Sequence, residues 1–144
     1  MSRFLGIDCG SISLNVVLTG EEAHETVCLY RRIRGRSLNA LIDALDELTA
    51  SHGNITVHAA TVTGSGRDLF AQSLGIPAVN EITAHATGVY QVNPQVRTVI
   101  EVGGQDSKFI KLAPPTGDTA PHVSVFRMNE VCAAGTGAFL DEQA

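Results

Sequence analysis

The beginning of the chain has the hydrophobic pattern of short strands. A short apolar run from Phe4 to Asp8 is followed by the turn residues CGSIS and by the apolar segment LNVVLTG. Two such runs around a Gly- and Ser-containing turn are typical of a β-hairpin, here with its bend at Gly10 and Ser11. The segment ETVCLYRRI predicts a third strand. We therefore expect the chain to begin with three consecutive strands.

The next segment, SLNALIDALDELTASHG, has its apolar residues at the spacing of one helix face. These residues are Leu38, Leu41, Ile42, Leu45 and Leu48. Ser37 is the predicted N-cap, because a serine hydroxyl accepts a hydrogen bond from the first turn of a helix. Gly53 follows as a C-terminal stop signal, so a helix is predicted between these two residues.

The remainder of the chain alternates between strand and helix patterns. The strand patterns are ITVHAATVTG, which ends at Gly64, VRTVIEV, which is of the buried type, SKFIKL, its antiparallel partner, and HVSVFRM. The helix patterns are GRDLFAQSLG and EITAHATGVYQV, the second with Asn80 as its N-cap, while IPAVN returns toward the sheet and PPTGDTAP is a loop. With a helix after the last strand, the order β-β-β-α-β-α-α-β-β-β-α predicts a mixed sheet with helices packed on it.

The size and composition are those of an ordinary compact domain. With 144 residues, of which 44% are hydrophobic, we expect one domain covering residues 1–144. The net charge of −5 argues against nucleic-acid binding. No apolar run approaches the ~20 residues that span a bilayer, and Asp8 interrupts any secretory leader. These properties predict a cytoplasmic protein without a nucleic-acid or membrane partner.

The cysteines do not form a recognisable framework. Cys9, Cys28 and Cys132 are odd in number, are widely spaced and include no C-x-x-C pair. This pattern predicts neither a disulfide scaffold nor a zinc site. We interpret Cys9, in the first turn, as a packing residue.

Two glycine turns, each directly after a strand, are the candidate ligand sites. Asp8 ends the first strand before Gly10 and Ser11, and Glu101 ends a later strand before Gly103-Gly104. Glycine lets the backbone approach a ligand and aim its N–H groups at it, and these groups with the Ser11 hydroxyl suit phosphate oxygens. Either turn alone is an ordinary hairpin turn. The repeated pattern favours two hairpins that face each other and clamp a polyphosphate.

Acidic side chains at these turns are candidate Mg²⁺ ligands. Asp8, Glu101 and Asp106 supply hard oxygen atoms that bind Mg²⁺ directly or through water. Gln105 is a candidate for orienting an attacking water beside a terminal phosphate. The spacing is neither that of a P-loop nor that of a G-x-G-x-x-G dinucleotide turn.

Five motifs resemble those of the ATPase activators of 2-hydroxyacyl-CoA dehydratases and of the related ATP-dependent benzoyl-CoA reductase subunits. In chain order they are GIDCGSIS, TVTGSGR, NEITAHATGV, IEVGGQDSKFIKL and MNEVCAAGTGAFLDEQA. The resemblance covers almost the whole chain, and the GGQDSK and CAAGTG stretches are its specific parts. The first hairpin alone would fit any member of the actin, sugar-kinase and heat-shock chaperone superfamily.

The resemblance implies an α/β, ribonuclease-H-like fold, with a mixed sheet, helices on both faces and ATP bound between two lobes. It also implies a homodimer that shares one 4Fe–4S cluster, with two cysteines from each subunit, and ATP-driven transfer of one low-potential electron to a dehydratase or reductase partner. We predict catalytic roles for Glu101 and Gln105. The predicted ATP/ADP-binding residues are Asp8, Gly10, Ser11, Ile12, Gly103, Gly104, Gln105, Asp106 and Gly135, with Mg²⁺ at Asp8 and Asp106.

Cys132 matches the first cluster cysteine of this family. It precedes a Gly-rich turn that opens a predicted helix, and the free N–H groups and partial positive charge of a helix N-terminus stabilise an anionic cluster. The residues alone leave a buried free thiol as the alternative. The resemblance places the second cysteine beyond Ala144. We therefore expect an N-terminal lobe alone, with weak or undetectable ATPase activity in isolation.

Some polar residues depart from the family pattern or lie outside it. The family usually carries a lysine where this chain has Asn15, so one positive charge near the phosphates is missing. A basic cluster, suited to an acidic partner or to a solvated hairpin tip, consists of Arg31, Arg32, Arg34 and Arg36. Glu81 and His85 have the spacing of a contact along a helix face or of a metal pair. The histidines without ligand spacing are His24, His52, His58 and His122.

Two other functions stay open at this stage. One is a kinase-like or sugar-binding relative in the same superfamily, in which Cys132 has no role. The other is a regulatory or scaffolding module that kept the fold and lost the chemistry, which Asn15 and the short length favour. Iron content and nucleotide binding distinguish the three.

Overall fold

The computed structural model describes residues 2–20, 22, 25–114, 122–129 and 136–137. The chain divides into two compact units, Met1–Val79 and Asn80–Ala144. The strands are β1 (Phe4–Cys9), β2 (Ser13–Thr19), β3 (Val27–Arg32), β4 (Ala59–Thr63), β5 (Thr98–Val102), β6 (Ser107–Leu112) and β7 (Val123–Met128), and the helices are α1 (Ser37–His52), α2 (Arg67–Leu74) and α3 (Glu81–Val92). This order confirms the predicted one for all of these elements. The predicted last helix and most of the predicted PPTGDTAP loop lie outside the described residues.

The first unit contains the predicted mixed sheet, with strand order β3-β2-β1-β4. Strands β1 and β2 form the predicted antiparallel hairpin, while β4 runs parallel to β1. The predicted return of the chain toward this sheet is confirmed by a parallel bridge between Val62 and Ala78. Strand β4 begins at Ala59, later than predicted, because its partner β1 begins at Phe4 and the two residues are in register.

Helix α1 covers the first sheet with a face that differs in part from the predicted one. Its buried residues are Ala40, Leu41, Ala44 and Leu48. Leu38 and Ile42, which the apolar pattern places on the same helix face as Leu41 and Leu48, are 42% and 56% exposed. The small alanines let the helix backbone approach the sheet, and this rotates the contact face away from those two residues.

Only the C-terminal end of α1 agrees with the sequence prediction. The N-cap is Arg36, which makes no side-chain capping bond, and Ser37 is already the first helical residue, so the predicted serine cap is wrong. Gly53 ends the helix as predicted, with a φ of 71° and its N–H donating to the carbonyl of Thr49.

In α2, Phe70 is fully buried in the same core as Leu14 and Val16.

The second unit contains a separate antiparallel sheet, with strand order β5-β6-β7. Its core consists of Ala86, Ile110 and Leu112, with Ile82, Val99 and Val123 packed against it. The buried type predicted for β5 is wrong, because Ile100 and Val102 are 74% and 56% exposed. Asn80 caps α3 as predicted, since its side-chain oxygen accepts the Ile82 N–H at 2.9 Å.

Candidate functional site

The first hairpin turn is closed by its own backbone. The Gly10 N–H donates to the Ser13 carbonyl at 2.9 Å, so the two central turn residues are Ser11 and Ile12, one position later than the predicted bend. The Gly10 amide is used by the turn. The amides of Ser11 and Ile12, for which no acceptor lies among the described residues, are the better candidates for phosphate donors.

Asp8 lies at the end of β1, opposite Asn15 of β2. The Asn15 side-chain amide donates to Asp8 Oδ2 at 3.3 Å. In the register of the parallel pair, Asp8 also lies beside Thr63. The Thr63 hydroxyl is buried and has no hydrogen-bond partner within the described part of the chain. The candidate carboxylate is therefore bordered by neutral polar groups of two neighbouring strands.

The TVTGSGR motif packs against the end of β1. The Gly66 N–H donates to the Cys9 carbonyl at 2.9 Å, and a Cβ atom on Gly66 would lie 2.6 Å from Cys9 Sγ. Gly64 has a φ of 91°, and a Cβ atom there would collide with the Cys9 carbonyl. Both positions therefore require glycine. The only signal of this in the sequence is weak, a G-x-G pair directly after a strand.

Cys9 is a buried core residue, which confirms its interpretation as a packing residue. Burial raises the pKa of its thiol, and the negative charge of Asp8 raises it further. Cys9 is therefore a neutral thiol and a poor thiolate ligand. Cys28 is exposed on β3. Cys132 lies outside the described residues.

The second hairpin turn has the same form as the first. The Gly103 N–H donates to the Asp106 carbonyl at 2.8 Å, so the central residues are Gly104 and Gln105, again one position later than predicted. No acceptor for the amides of Gly104 and Gln105 lies among the described residues. Of the three predicted phosphate ligands in this turn, Gly104 and Gln105 are therefore better placed as amide donors than Gly103, whose N–H is used by the turn.

A buried lysine lies beside this second turn. Lys108, on β6, is only 4% exposed. Its Nζ donates to Asp106 Oδ1 at 2.6 Å, to Glu101 Oε2 at 2.9 Å and to Glu81 Oε1 at 3.3 Å. Burial by itself lowers the pKa of Lys108, but the hydrogen bonds that its ammonium donates to Asp106 and Glu101 and the charges of Glu81 and Glu101 outweigh it and raise the pKa above its ordinary value. The ammonium group therefore stays charged.

Sequence reasoning missed Lys108 and the role of Glu81, although a signal was present for Lys108. Lys108 faces Glu101 across the second hairpin in the same way that Asn15 faces Asp8 across the first. In both hairpins the partner follows the acidic residue by 7 positions. Because residues on two strands joined by a two-residue turn pair at fixed spacing, this contact was readable from the sequence.

The CAAGTG motif reaches the second turn through its last glycine. The Gly137 N–H donates to the Gly103 carbonyl at 2.8 Å. A Cβ atom on Gly137 would lie 3.3 Å from that carbonyl oxygen and 3.5 Å from Gly104 Cα. The neighbouring Thr136 is fully buried, and its hydroxyl has no partner among the described residues. Gly135 lies outside them.

Two carboxylates of the second hairpin and one of α3 surround a side-chain cation. Within the described ranges, no group of three or more His, Cys, Asp and Glu side chains is arranged to hold a metal ion. Glu81, Glu101 and Asp106 contact the Lys108 ammonium, so three negative charges and one positive charge give this group a net charge of −2. The Mg²⁺ roles of Asp8 and Asp106 stay predictions.

The basic cluster lies next to the first turn. The Ile33 N–H, in the middle of the cluster, donates to the Ile12 carbonyl at 2.9 Å. Arg31 forms an ion pair with Glu47 of α1, while Arg34 and Arg36 are exposed. Among the helices of the described residues, none has the length and apolar character needed to cross a membrane.

Comparison with known proteins identifies the class. The BadF/BadG/BcrA/BcrD ATPase family matches residues 5–144, and the chain belongs to this family. It is 36% identical over 146 residues to the 2-hydroxyisocaproyl-CoA dehydratase activator of Clostridioides difficile, covering 97% of this chain and 50% of that protein. It is 34% identical over 142 residues to the activator of lactoyl-CoA dehydratase of Anaerotignum propionicum, covering 97% and 52%.

Solved structures give the same result and confirm the ribonuclease-H-like, mixed α/β fold. The activator of the 2-hydroxyisocaproyl-CoA dehydratase from Clostridium difficile, with bound ADPNP, superposes with a TM-score of 0.79 at 29% identity, covering 97% of this chain and 50% of that one. The (R)-2-hydroxyglutaryl-CoA dehydratase component A of Acidaminococcus fermentans gives 0.78 at 29% identity, covering 98% and 52%. The chain thus spans about half the length of these relatives.

Proposed function

We propose that residues 1–144 form the N-terminal, nucleotide-binding part of an ATP-dependent activator of a 2-hydroxyacyl-CoA dehydratase or of a benzoyl-CoA reductase. In this proposal the protein hydrolyses ATP and transfers one low-potential electron to its partner enzyme. It does so as a homodimer that shares one 4Fe–4S cluster. Membership of the ATPase family and the similarity to an ADPNP-bound activator support the nucleotide role.

The hydrogen bond from Gly137 to Gly103 is the observation that carries the proposal. It joins the CAAGTG motif, which contains the predicted cluster ligand Cys132, to the turn that contains the predicted nucleotide ligands. A shift of this turn when a phosphate group binds or leaves moves the Gly137 backbone with it. Such a link is what coupling between nucleotide state and an electron-transfer site requires.

The chemistry of the donor groups fits Mg²⁺ together with a nucleotide. A nucleoside triphosphate is strongly anionic, and Lys108 with Glu101 and Asp106 of the second hairpin and Glu81 of α3 forms a group with a net charge of −2. Without a divalent cation the two would repel each other. Asp8 and Asp106 would hold Mg²⁺ through carboxylate oxygens, and the ion would neutralise phosphate charge. The tip amides of Ser11, Ile12, Gly104 and Gln105 would donate to phosphate oxygens.

Catalytic assignments follow from the same turn. Gln105 is a central turn residue, and its carboxamide is proposed to orient the attacking water. Glu101 is proposed as a second catalytic residue, and the hydrogen bond that its carboxylate accepts from Lys108 holds it in place. The role of Cys132 as a cluster ligand, the role of Gly135 in nucleotide binding and the cytoplasmic location stay predictions.

Anaerobic iron reconstitution of the protein that carries this sequence tests the electron-transfer role. We expect a brown dimer with 4Fe–4S absorption, which Cys132→Ser abolishes and Cys28→Ser retains, because Cys28 is an exposed residue of β3. A colourless protein that phosphorylates a sugar would support the sugar-kinase alternative. A protein that binds neither iron nor nucleotide would support a regulatory module.

A further inference from the structure

The three donors of the Lys108 ammonium are matched by three carboxylates. An ammonium group has three N–H donors and no acceptor. Asp106, Glu101 and Glu81 each accept from it, at 2.6, 2.9 and 3.3 Å. No donor is left for a fourth partner. A phosphate oxygen would have to displace one of these carboxylates before it contacted Lys108.

These carboxylates come from three different parts of the second unit. Glu81 is the first residue of α3, Glu101 belongs to β5, and Asp106 lies in the turn before β6. Their side chains are 27%, 19% and 40% exposed, whereas that of Lys108 is 3% exposed. The cation is therefore the buried centre of the group, and the carboxylates extend from it toward the surface. Removal of the cation would leave three like charges in mutual repulsion.

We infer that Lys108 is a positioning residue whose ammonium acts as the fixed cation of the second hairpin. It holds Glu101 and Asp106 in place beside the Gly103–Gly104 turn and does not itself bind phosphate. This inference rests on the proposed function, because Glu101 and Asp106 are its predicted catalytic and Mg²⁺-binding residues. The first hairpin has no such cation at the equivalent position, where Asn15 makes one neutral contact of 3.3 Å.

The sequence provides an internal control for this inference. The chain contains two lysines, Lys108 and Lys111, both on β6. Lys111 is exposed, whereas Lys108 is buried. A measurement that reports on lysine ammonium groups therefore yields one signal from the buried site and one from the surface.

Nitrogen-15 NMR of the lysine ammonium groups in the unaltered chain tests the donor geometry. We expect the Lys108 protons to exchange with water at least about tenfold more slowly than those of Lys111, because hydrogen bonds to charged partners protect them. Equal exchange rates would overturn the inference. No nucleotide is added, so this result is independent of the proposed function.

Binding of Mn²⁺ alone tests the role of the cation. Lys108→Met leaves three carboxylates without their cation, and we expect this variant to bind Mn²⁺ about tenfold more tightly than Lys111→Met does. The two substitutions change the total charge equally. Equal Mn²⁺ affinities in the two folded variants would contradict the inference. If circular dichroism shows that Lys108→Met does not fold, the exchange measurement on the unaltered chain decides.

Nucleotide titrations separate the inference from the function on which it rests. If the unaltered chain binds ADPNP, Lys108→Met is expected to weaken that binding by about tenfold, and Lys108→Arg is expected to restore part of it by keeping the charge. An unchanged ADPNP affinity in a folded Lys108→Met variant would count against the inference. Absence of ADPNP binding by the unaltered protein that carries this sequence would refute the proposed function, and the exchange and Mn²⁺ measurements would then still test the inference.

Discussion

Asn15 lies across the first hairpin from Asp8, and its side-chain amide donates to the Asp8 carboxylate at 3.3 Å. At the equivalent position of the second hairpin, Lys108 makes a shorter, charged contact of 2.9 Å to Glu101. The two hairpins therefore share a geometry and differ in the charge of one residue. This difference leads directly to a test.

Replacement of Asn15 by lysine is expected to strengthen nucleotide binding. The new ammonium group adds a positive charge near the predicted phosphate donors, and we expect a gain of about threefold to tenfold in ADPNP affinity. Asn39→Lys on the exposed side of α1 makes the same change in net charge and serves as the control. Titration with ADPNP in the presence of Mg²⁺ measures both. An Asn15→Lys affinity equal to that of Asn39→Lys would argue against a phosphate site at this turn.

Replacement of Gly66 by alanine is expected to destabilise the first unit. The added Cβ atom would lie 2.6 Å from Cys9 Sγ, and the overpacking should lower the free energy of unfolding by about 1–3 kcal/mol. In Gly6→Ala, on β1, the atom nearest to the new Cβ is the Val17 carbonyl oxygen, 3.9 Å away, so a much smaller change is expected. Urea denaturation followed by circular dichroism measures both variants. Equal stabilities would show that the TVTGSGR turn does not pack against β1 as described.

The two described cysteines are expected to react at different rates with an alkylating reagent. Cys28 is exposed, whereas Cys9 is buried and has a pKa raised by burial and by Asp8. Because the thiolate is the reactive form, iodoacetamide at pH 8 should modify Cys28 well before Cys9. Mass spectrometry of the separate peptides gives both rates. Similar rates would place Cys9 outside the core.

The raised pKa of Cys9 also predicts a dependence of stability on alkaline pH. An unfolded cysteine loses its proton near pH ~8.5, whereas the buried thiol holds its proton to higher pH. The unfolded state therefore binds fewer protons above this pH, and the free energy of unfolding falls as the pH rises through the folded-state pKa. Cys9→Ala should have a shallower decline of the free energy of unfolding, measured by urea denaturation, between about pH 8 and pH 10. An identical decline in Cys9→Ala and in the unaltered protein would mean that groups other than Cys9 cause the pH dependence.

The sequence predicted the order of the elements because each has a strong local signal. The hairpins follow from apolar runs around short turns, and α3 follows from its apolar periodicity and the Asn80 cap, which the structure confirms. The buried face of α1 was predicted less well, because Ala40 and Ala44 are too weakly hydrophobic to dominate a pattern that contains Leu38 and Ile42. Packing of small residues depends on the partner surface, which a sequence pattern does not contain.

The candidate site was predicted at the level of its turns and missed at the level of its side-chain contacts. Asp8, Glu101 and Asp106 were found because acidic residues beside glycine turns are a local pattern. The contact of Glu81 with Lys108 joins residues 27 positions apart, so no local pattern contains it. The G-S-G turn at Gly64–Gly66 likewise depends on a contact with Cys9, which only the tertiary fold brings about.

Equilibrium binding of ADPNP, with and without Mg²⁺, tests the central claim most directly. The account predicts saturable binding by this protein that requires Mg²⁺ and that falls by at least about tenfold in Asp8→Asn and in Asp106→Asn, while Asp43→Asn, on the exposed side of α1, leaves it unchanged. Binding that is independent of Mg²⁺, or that is equally strong in all three variants, would contradict it.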